Sequence, residues 1–270
     1  MENIEEKAPN GSIKDPGFDS EWSRKRKQDV LDLFSVQAKT YDRDDNLIGG
    51  MLHHNWCKVT MKHVGEFVKN KDKVQMLDLA CGTGFITYNV AKRFNNVEID
   101  AFDITKEMVD QAILRYEKEG CGRHIRFWVG DAEVSYGSEK YDLITNCFAF
   151  RNFANKKLAV QNVFDALRPG GMYIIQDMTK AEKGPFRAMY LFALKRLLPI
   201  AARIIGIRAE SPRYLYGTVL LMPTNQQITD LLEEVGFRST GSVYLSSGMG
   251  CIITGYKPNN SLKDIQNEDS

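Results

Sequence analysis

The sequence predicts an α/β fold: a mostly parallel sheet covered by helices on both faces and closed by a C-terminal antiparallel hairpin. Two observations carry this. Short apolar runs alternate with segments of helical spacing from about residue 74 to 178, which is the signature of successive strand-helix-strand units. The rhythm then changes, and two strand-like runs stand close together near the C-terminus with only a short turn between them.

In chain order, 73-KVQMLDLA-80 is a first strand and 85-FITYNVAKRF-94 has helical spacing. The second strand is 97-VEIDAFD-103, followed by the helix 105-TKEMVDQAILRYEKEG-120 with Thr105 at its N-cap. A third strand, 124-HIRFWVGD-131, starts at His124, which reads as exposed. A fourth is 141-YDLITNCFAF-150. The helix 155-NKKLAVQNVFDALRPGG-171 ends at Pro-Gly-Gly, with Asn155 as a cap, and 172-MYIIQDM-178 is the fifth strand. A helix at 224-TNQQITDLLEEVG-236 precedes the hairpin strands 238-RSTGSVYL-245 and 250-GCIITGYK-257, joined by Ser-Ser-Gly-Met-Gly. Residues 1–20 and the tail from Pro258 are polar and are expected to be disordered. The span 21–257 reads as one domain.

Composition narrows the function. The 270 residues are 43% apolar, enough for one sizeable core, and the net charge of +1 lacks the basic excess of a polynucleotide binder. Five cysteines, at 57, 81, 121, 147 and 251, form no metal-binding spacing and read as reduced thiols of a cytoplasmic protein. The first thirty residues lack the apolar core of an export signal. No apolar run is long enough to span a bilayer. No metal site is expected.

The chemistry concentrates at the ends of the strands. The first strand runs into Asp78-Leu79-Ala80-Cys81-Gly82-Thr83-Gly84, where bare backbone can approach a ligand. In open α/β sheets ligands lie outside the carboxyl ends of the strands. Asp103 ends the second strand, 21 residues after Gly82, where a carboxylate can accept hydrogen bonds from ribose hydroxyls. A dinucleotide turn wants a third glycine, and Thr87 stands in its place. Asp78 suits instead a ligand with a cationic amino-acid end. S-adenosylmethionine has both ribose and ammonium. Asp131 and Ala132, after the third strand, then face the adenine, and Met108 covers the ring. A nicotinamide cofactor is the alternative, and an ordinary strand-to-helix corner is the plainest one.

Three stretches resemble a known family, the demethylmenaquinone and demethylubiquinone C-methyltransferases of the UbiE/MenG type, over about Phe34 to Lys257. They are 34-FSVQAKTYDRDDNLIGGMLHHNW-56, 148-FAFRNFANKKLAVQNVFDALRPGG-171, and the closing segments 212-PRYLYGTVLLMP-223 and 246-SSGMGCIITGYK-257. The resemblance implies a class I methyltransferase, Rossmann-like fold with a seven-stranded sheet. It implies lid helices at about 22–70 and 184–222, and C-methylation of a prenylated quinol. With it, Ala80, Thr83, Ile104 and Cys147 join Asp78, Gly82, Gly84, Asp103, Met108, Asp131 and Ala132 as expected cofactor residues. Tyr41, His53, Arg151 and Asn152 are the expected catalytic residues. The chain departs from the family at Asp45-Asn46, where Asn-Asp is usual, at Gly49-Gly50-Met51, at Asp177-Met178-Thr179, and at Cys147, where serine is frequent.

Methylation of a ring carbon needs a quinol, because the oxidised ring is electron-poor. It also needs a base, a positive or donor group for the developing phenolate, alignment and exclusion of water. Arg151 is placed as the phenolate partner and Asn152 as the group orienting a ring oxygen; a surface charge and a helix cap are the alternatives. His53 titrates near neutrality when unperturbed and is the candidate base; a structural histidine, or a water relayed by Tyr41 and Arg151, serves equally. Trp56 reads as packing. The stretch 184-GPFRAMYLFALKRLLPIAARIIGIRA-209 carries five Arg or Lys and no acid. Pro199 should divide it into two short helices. It reads either as a membrane-surface lid or as a buried helix pair. Other lipophilic phenols as acceptor, a non-catalytic cofactor-binding subunit, and a homodimeric state stay open.

Overall fold

The computed structural model describes residues 21–48, 50–120, 125–181, 185–208 and 210–259. The expected tail 1–20, all of the expected tail 258–270 except Pro258 and Asn259, and Cys121, His124, Gly184 and Ala209 lie outside the described residues.

Seven strands form one sheet in the order β3-β2-β1-β4-β5-β7-β6. These are β1 (Val74–Leu79), β2 (Val97–Asp103), β3 (Ile125–Val129), β4 (Tyr141–Cys147), β5 (Leu167–Met178), β6 (Arg238–Leu245) and β7 (Gly250–Tyr256). β1 to β5 are parallel; β7 pairs antiparallel with both β5 and β6. The chain moves outward from β1 to β3 and then returns to β4 on the other side of β1. That reversal opens a crevice between the carboxyl ends of β1 and β4.

The central strands are buried on both faces, which is why β1 reads as an apolar run rather than an alternation. Val74 and Met76 point into one cluster with Val64, Ile86 and Val90; Leu77 and Leu79 point into the other with Phe102, Ile144 and Val163. The first layer contains α3 (Gly50–Val68) and α4 (Phe85–Arg93); the second contains α6 (Lys156–Ala166) and α10 (Asn225–Val235). α5 (Lys106–Glu119) follows β2. Because Met61, Val64 and Val68 of α3 are core residues, the covering part of the expected 22–70 lid reduces to α1 (Glu21–Gln37) and α2 (Tyr41–Ile48).

The caps follow the sequence with one exception. The Asn155 side chain accepts from Leu158 N at 2.9 Å, and Thr224 and Gln227 form a reciprocal capping box. Thr105 stands at the N-cap of α5 but makes no side-chain cap bond. Pro-Gly-Gly does not end α6, which stops at Ala166; β5 begins at once and the three residues lie within its range. The register skips there, Leu167 pairing with Tyr141 and Met172 with Leu143. A Cβ at Gly171 would sit 2.8 Å from Arg168 O, so only glycine fits this tight passage.

Between β5 and α10 run α7 (Pro185–Phe192), a π-helical turn (Ala193–Leu197), α8 (Leu198–Ile204) and α9 (Glu210–Leu221). Pro199 does not break the path: Phe192, Leu197 and Leu198 all keep right-handed helical dihedrals. Pro199 occupies the first turn of α8, where its missing N–H is not needed.

Candidate active site

The reversal between β1 and β4 holds a cavity whose wall is made by the strand ends and whose cover is made by α1 and α2. Ten of the eleven expected cofactor residues line it: Asp78, Ala80, Gly82, Thr83, Asp103, Ile104, Met108, Asp131, Ala132 and Cys147. Gly84 does not. Its φ is +75° and an added Cβ would meet Ala112 Cβ at 3.1 Å, so it serves the close packing of α4 on α5. Gly82 also has a positive φ, +55°, but nothing lies within 4 Å of where its Cβ would be. Its bare backbone faces open space.

Backbone conformation is unusual on both sides of the crevice. Ala80 after β1 and Phe148 after β4 have φ of 56° and 61°. Non-glycine residues pay about 1 kcal/mol or more for this region, a cost that concentrates at ligand sites.

The acids divide by availability. Asp103 accepts from Gly82 N and Thr105 N, both at 2.9 Å, one on each oxygen. Each oxygen keeps a lone pair, so the pair can accept from a vicinal diol. Burial pushes its pKa up against these two bonds. Asp78 is more committed. Its Oδ2 takes Thr87 N at 3.0 Å and Thr87 Oγ1 at 2.5 Å, and its Oδ1 takes Thr145 Oγ1 at 3.0 Å. Burial pushes Asp78 up to about 6, opposed by those donors. One acceptor position on Oδ1 is left for a cation. Asp131 is held by Lys27 Nζ at 2.8 Å, which also reaches Glu133 at 3.0 Å.

The residues expected to act on the acceptor come from α2, α3 and the turn after β4. Tyr41, His53 and Asn152 line the same cavity; Arg151 does not. His53 Nδ1 pairs with Asp45 Oδ2, and its ring meets Phe148 edge-on at 4.5 Å between centroids. Burial alone would strip charge from this imidazole, but the hydrogen bonds to Asp45 and Cys57 prevail and push its pKa up to about 10. At neutral pH His53 is therefore an imidazolium, which cannot accept a proton. Burial and the nearby Asp45 raise the Tyr41 hydroxyl, while Arg151 works to lower it. The Asn152 side chain accepts from Tyr214 of α9 at 3.0 Å. Arg151 is buried one layer behind. Its guanidinium pairs with Asp177, its N–H donates to Asp177 Oδ2 at 2.8 Å, and its carbonyl accepts from Arg26 of α1 at 3.0 Å.

The match covers residues 22–257 of the chain and corresponds to the ubiE/COQ5 methyltransferase family. The chain belongs to that family. It is a methyltransferase. The chain is 28% identical over 248 residues to a ubiquinone/menaquinone biosynthesis C-methyltransferase UbiE of Rickettsia akari, covering 90% of this chain and 98% of that protein. It is 26% identical over 243 residues to a demethylmenaquinone methyltransferase of Staphylococcus aureus, covering 89% and 98%. Among solved structures, the [4+2]-cyclase SpnF matches with a TM-score of 0.64 at 16% identity, covering 87% of this chain and 97% of that one. A SAM-dependent methyltransferase from Aquifex aeolicus matches with 0.54 at 18%, covering 82% and 96%. At these identities the structural likenesses speak for the fold.

Sequence reasoning missed what holds the cover down. Asp42 accepts from Thr83 Oγ1 at 2.6 Å and pairs with Arg115 of α5. Lys27 joins α1 to Asp131. Trp56, expected to pack, is buried and donates to Ser246 Oγ at 2.8 Å. None of these pairings has a sequence signal, since each joins residues dozens of positions apart.

Proposed function

We propose that this enzyme transfers a methyl group from S-adenosylmethionine to a ring carbon of a prenylated quinol, within menaquinone or ubiquinone synthesis. The observation that carries the proposal is one cavity with two chemistries. Strand-end carboxylates and an open glycine turn line it together with Tyr41, the Asp45–His53 pair and Asn152. The names of the family relatives support the acceptor class.

The cosubstrate supplies a methyl group already activated on a sulfonium. The residues present fit it: Asp103 places a carboxylate at the strand end that can accept from a ribose, and Gly82 offers backbone without a side chain. Met108 and Ala132 provide apolar cover for a ring. What remains is to make the acceptor carbon nucleophilic. The quinol hydroxyl gives its proton to a water in the cavity, and the resulting phenolate is met by the His53 imidazolium, with Arg151 adding positive charge from behind Tyr41. Transfer would form the new carbon–carbon bond as the sulfur–carbon bond breaks, and the proton on that ring carbon would pass to water, restoring aromaticity. α1 and α2 exclude bulk water.

The test is direct. Purified protein is incubated with labelled S-adenosylmethionine and reduced or oxidised demethylated naphthoquinone and benzoquinone carrying prenyl tails. Label in the reduced ring, located on carbon by mass spectrometry, is the expected result. Label on oxygen, or none on any reduced quinone, defeats the proposal.

A further inference from the structure

The segment from α7 to α8 presents an apolar strip to the outside. Met189, Phe192, Leu197, Ile200 and Ile204 are all exposed, Ile204 by 80% and Met189 by 62%. Their spacing is 3, 5, 3 and 4 residues. The step of 5 falls across the π-helical turn Ala193–Leu197, whose i to i+5 bonding absorbs one extra residue per turn and keeps Phe192 and Leu197 on one face. The opposite face is the anchor: Tyr190, Leu194 and Ala202 are buried, the first two against Val219 and Met178. The inner face thus explains why the helices stand here. It does not explain five large apolar side chains in water, a patch that marks a contact surface.

Charge says what the contact is with. Between Pro185 and Arg208 there are five cations and no acid, and Lys195, Arg196, Arg203 and Arg208 are exposed around the strip. A second copy of this chain would bring the same cations face to face across a twofold axis, so self-association is opposed. An anionic lipid surface accepts both features at once: the apolar side chains enter the acyl boundary and the cations meet headgroups. No helix among the described residues is long and apolar enough to cross a membrane, so the contact lies on the surface.

We infer that the face formed by Met189, Phe192, Leu197, Ile200 and Ile204 with Lys195, Arg196 and Arg203 docks on an anionic lipid bilayer. It holds whichever acceptor the cavity takes. It is tied to the site through α9: Tyr190 and Leu194 pack with Leu215 and Tyr216, and Tyr214 hydrogen-bonds Asn152 in the cavity wall.

Vesicle flotation tests it with the full chain. Vesicles of phosphatidylcholine with roughly a third phosphatidylglycerol should carry the protein upward, and neutral vesicles much less, since each cation near an anionic surface multiplies partitioning roughly fivefold. Ile200→Asp/Ile204→Asp should cut binding by about tenfold or more while thermal melting and cofactor binding stay unchanged. Arg196→Glu/Arg203→Glu should remove the preference for anionic vesicles. Failure of the native chain to float with anionic vesicles overturns the inference, as does equal flotation of the isoleucine variant. A native dimer in sedimentation that the isoleucine variant splits also overturns it, because the strip then covers a second copy.

Discussion

Asp45 Oδ2 and His53 Nδ1 form an ion pair in the cavity wall. The pairing makes His53 a cation rather than a base. Its folded pKa, about 10, lies above the ordinary histidine value of 6.5. The stability it contributes is therefore complete below about 6.5 and is lost as pH rises through about 10. His53→Gln should lower kcat on the order of tenfold to a hundredfold. Asp45→Asn should let the imidazole fall toward its ordinary range, so that activity declines above about pH 6.5 while the native enzyme holds activity far higher. Profiles of kcat/KM between pH 6 and 10 separate the two. A native profile that rises through neutrality would return His53 to the role of base.

Asp103 is a scaffold acceptor, and the proposed function gives it the ribose as well. Asp103→Ala removes the acceptors for Gly82 N and Thr105 N together with the diol acceptors. Cofactor binding should weaken by at least tenfold, with about 1–3 kcal/mol of stability lost through the stranded N–H groups. Asp103→Asn keeps one carbonyl acceptor and should fall between the two. Calorimetric titration with S-adenosylmethionine, alongside urea denaturation, reads both effects; unchanged affinity in the alanine variant removes Asp103 from the ribose.

Arg151 lies behind the cavity, paired with a fully buried Asp177. Arg151→Met should cost about 3–5 kcal/mol, because it leaves the Asp177 carboxylate buried without a counter-charge. Arg151→Met/Asp177→Asn should recover most of that stability and little of the turnover. The split tells a phenolate partner from a structural strut. If the double variant turns over like the native enzyme, Arg151 contributes only stability.

The sheet was legible because every central strand is buried on both faces, and an apolar run such as that of β1 is hard to read otherwise. The cavity lining was legible for a related reason: strand ends are fixed by topology, so Gly82, Asp103 and Asp131 had to converge. Gly84 shows the limit. Its place in the motif is right, but only packing reveals that Ala112, not a ligand, requires it. His53 was read with an unperturbed pKa, because nothing in a linear pattern says that Asp45, one helix earlier, turns back onto it. Pro199 predicted a break, but it falls in the first turn of α8 just after a π-helical turn, where its missing N–H is not needed.

Lys27 bears on how the cavity opens. Its ammonium bridges Asp131 and Glu133 and so fastens α1 over the strand end expected to face adenine. A nucleoside cannot reach the Asp131 carboxylate without displacing or sharing that cation. Lys27→Met should therefore free the carboxylate and loosen α1 together. Association and release of S-adenosylmethionine should both accelerate, by about threefold to tenfold, with a smaller change in affinity, since removing a closed-state contact lowers the opening barrier in both directions. Stopped-flow fluorescence measures both rates. Glu133 stays anchored in that variant by Ala154 N at 2.8 Å and Asn155 N at 3.0 Å, so the wall itself holds its shape. Rates equal to those of the native chain would mean that α1 does not gate the site and that entry proceeds under α2, past Asp42 and Thr83.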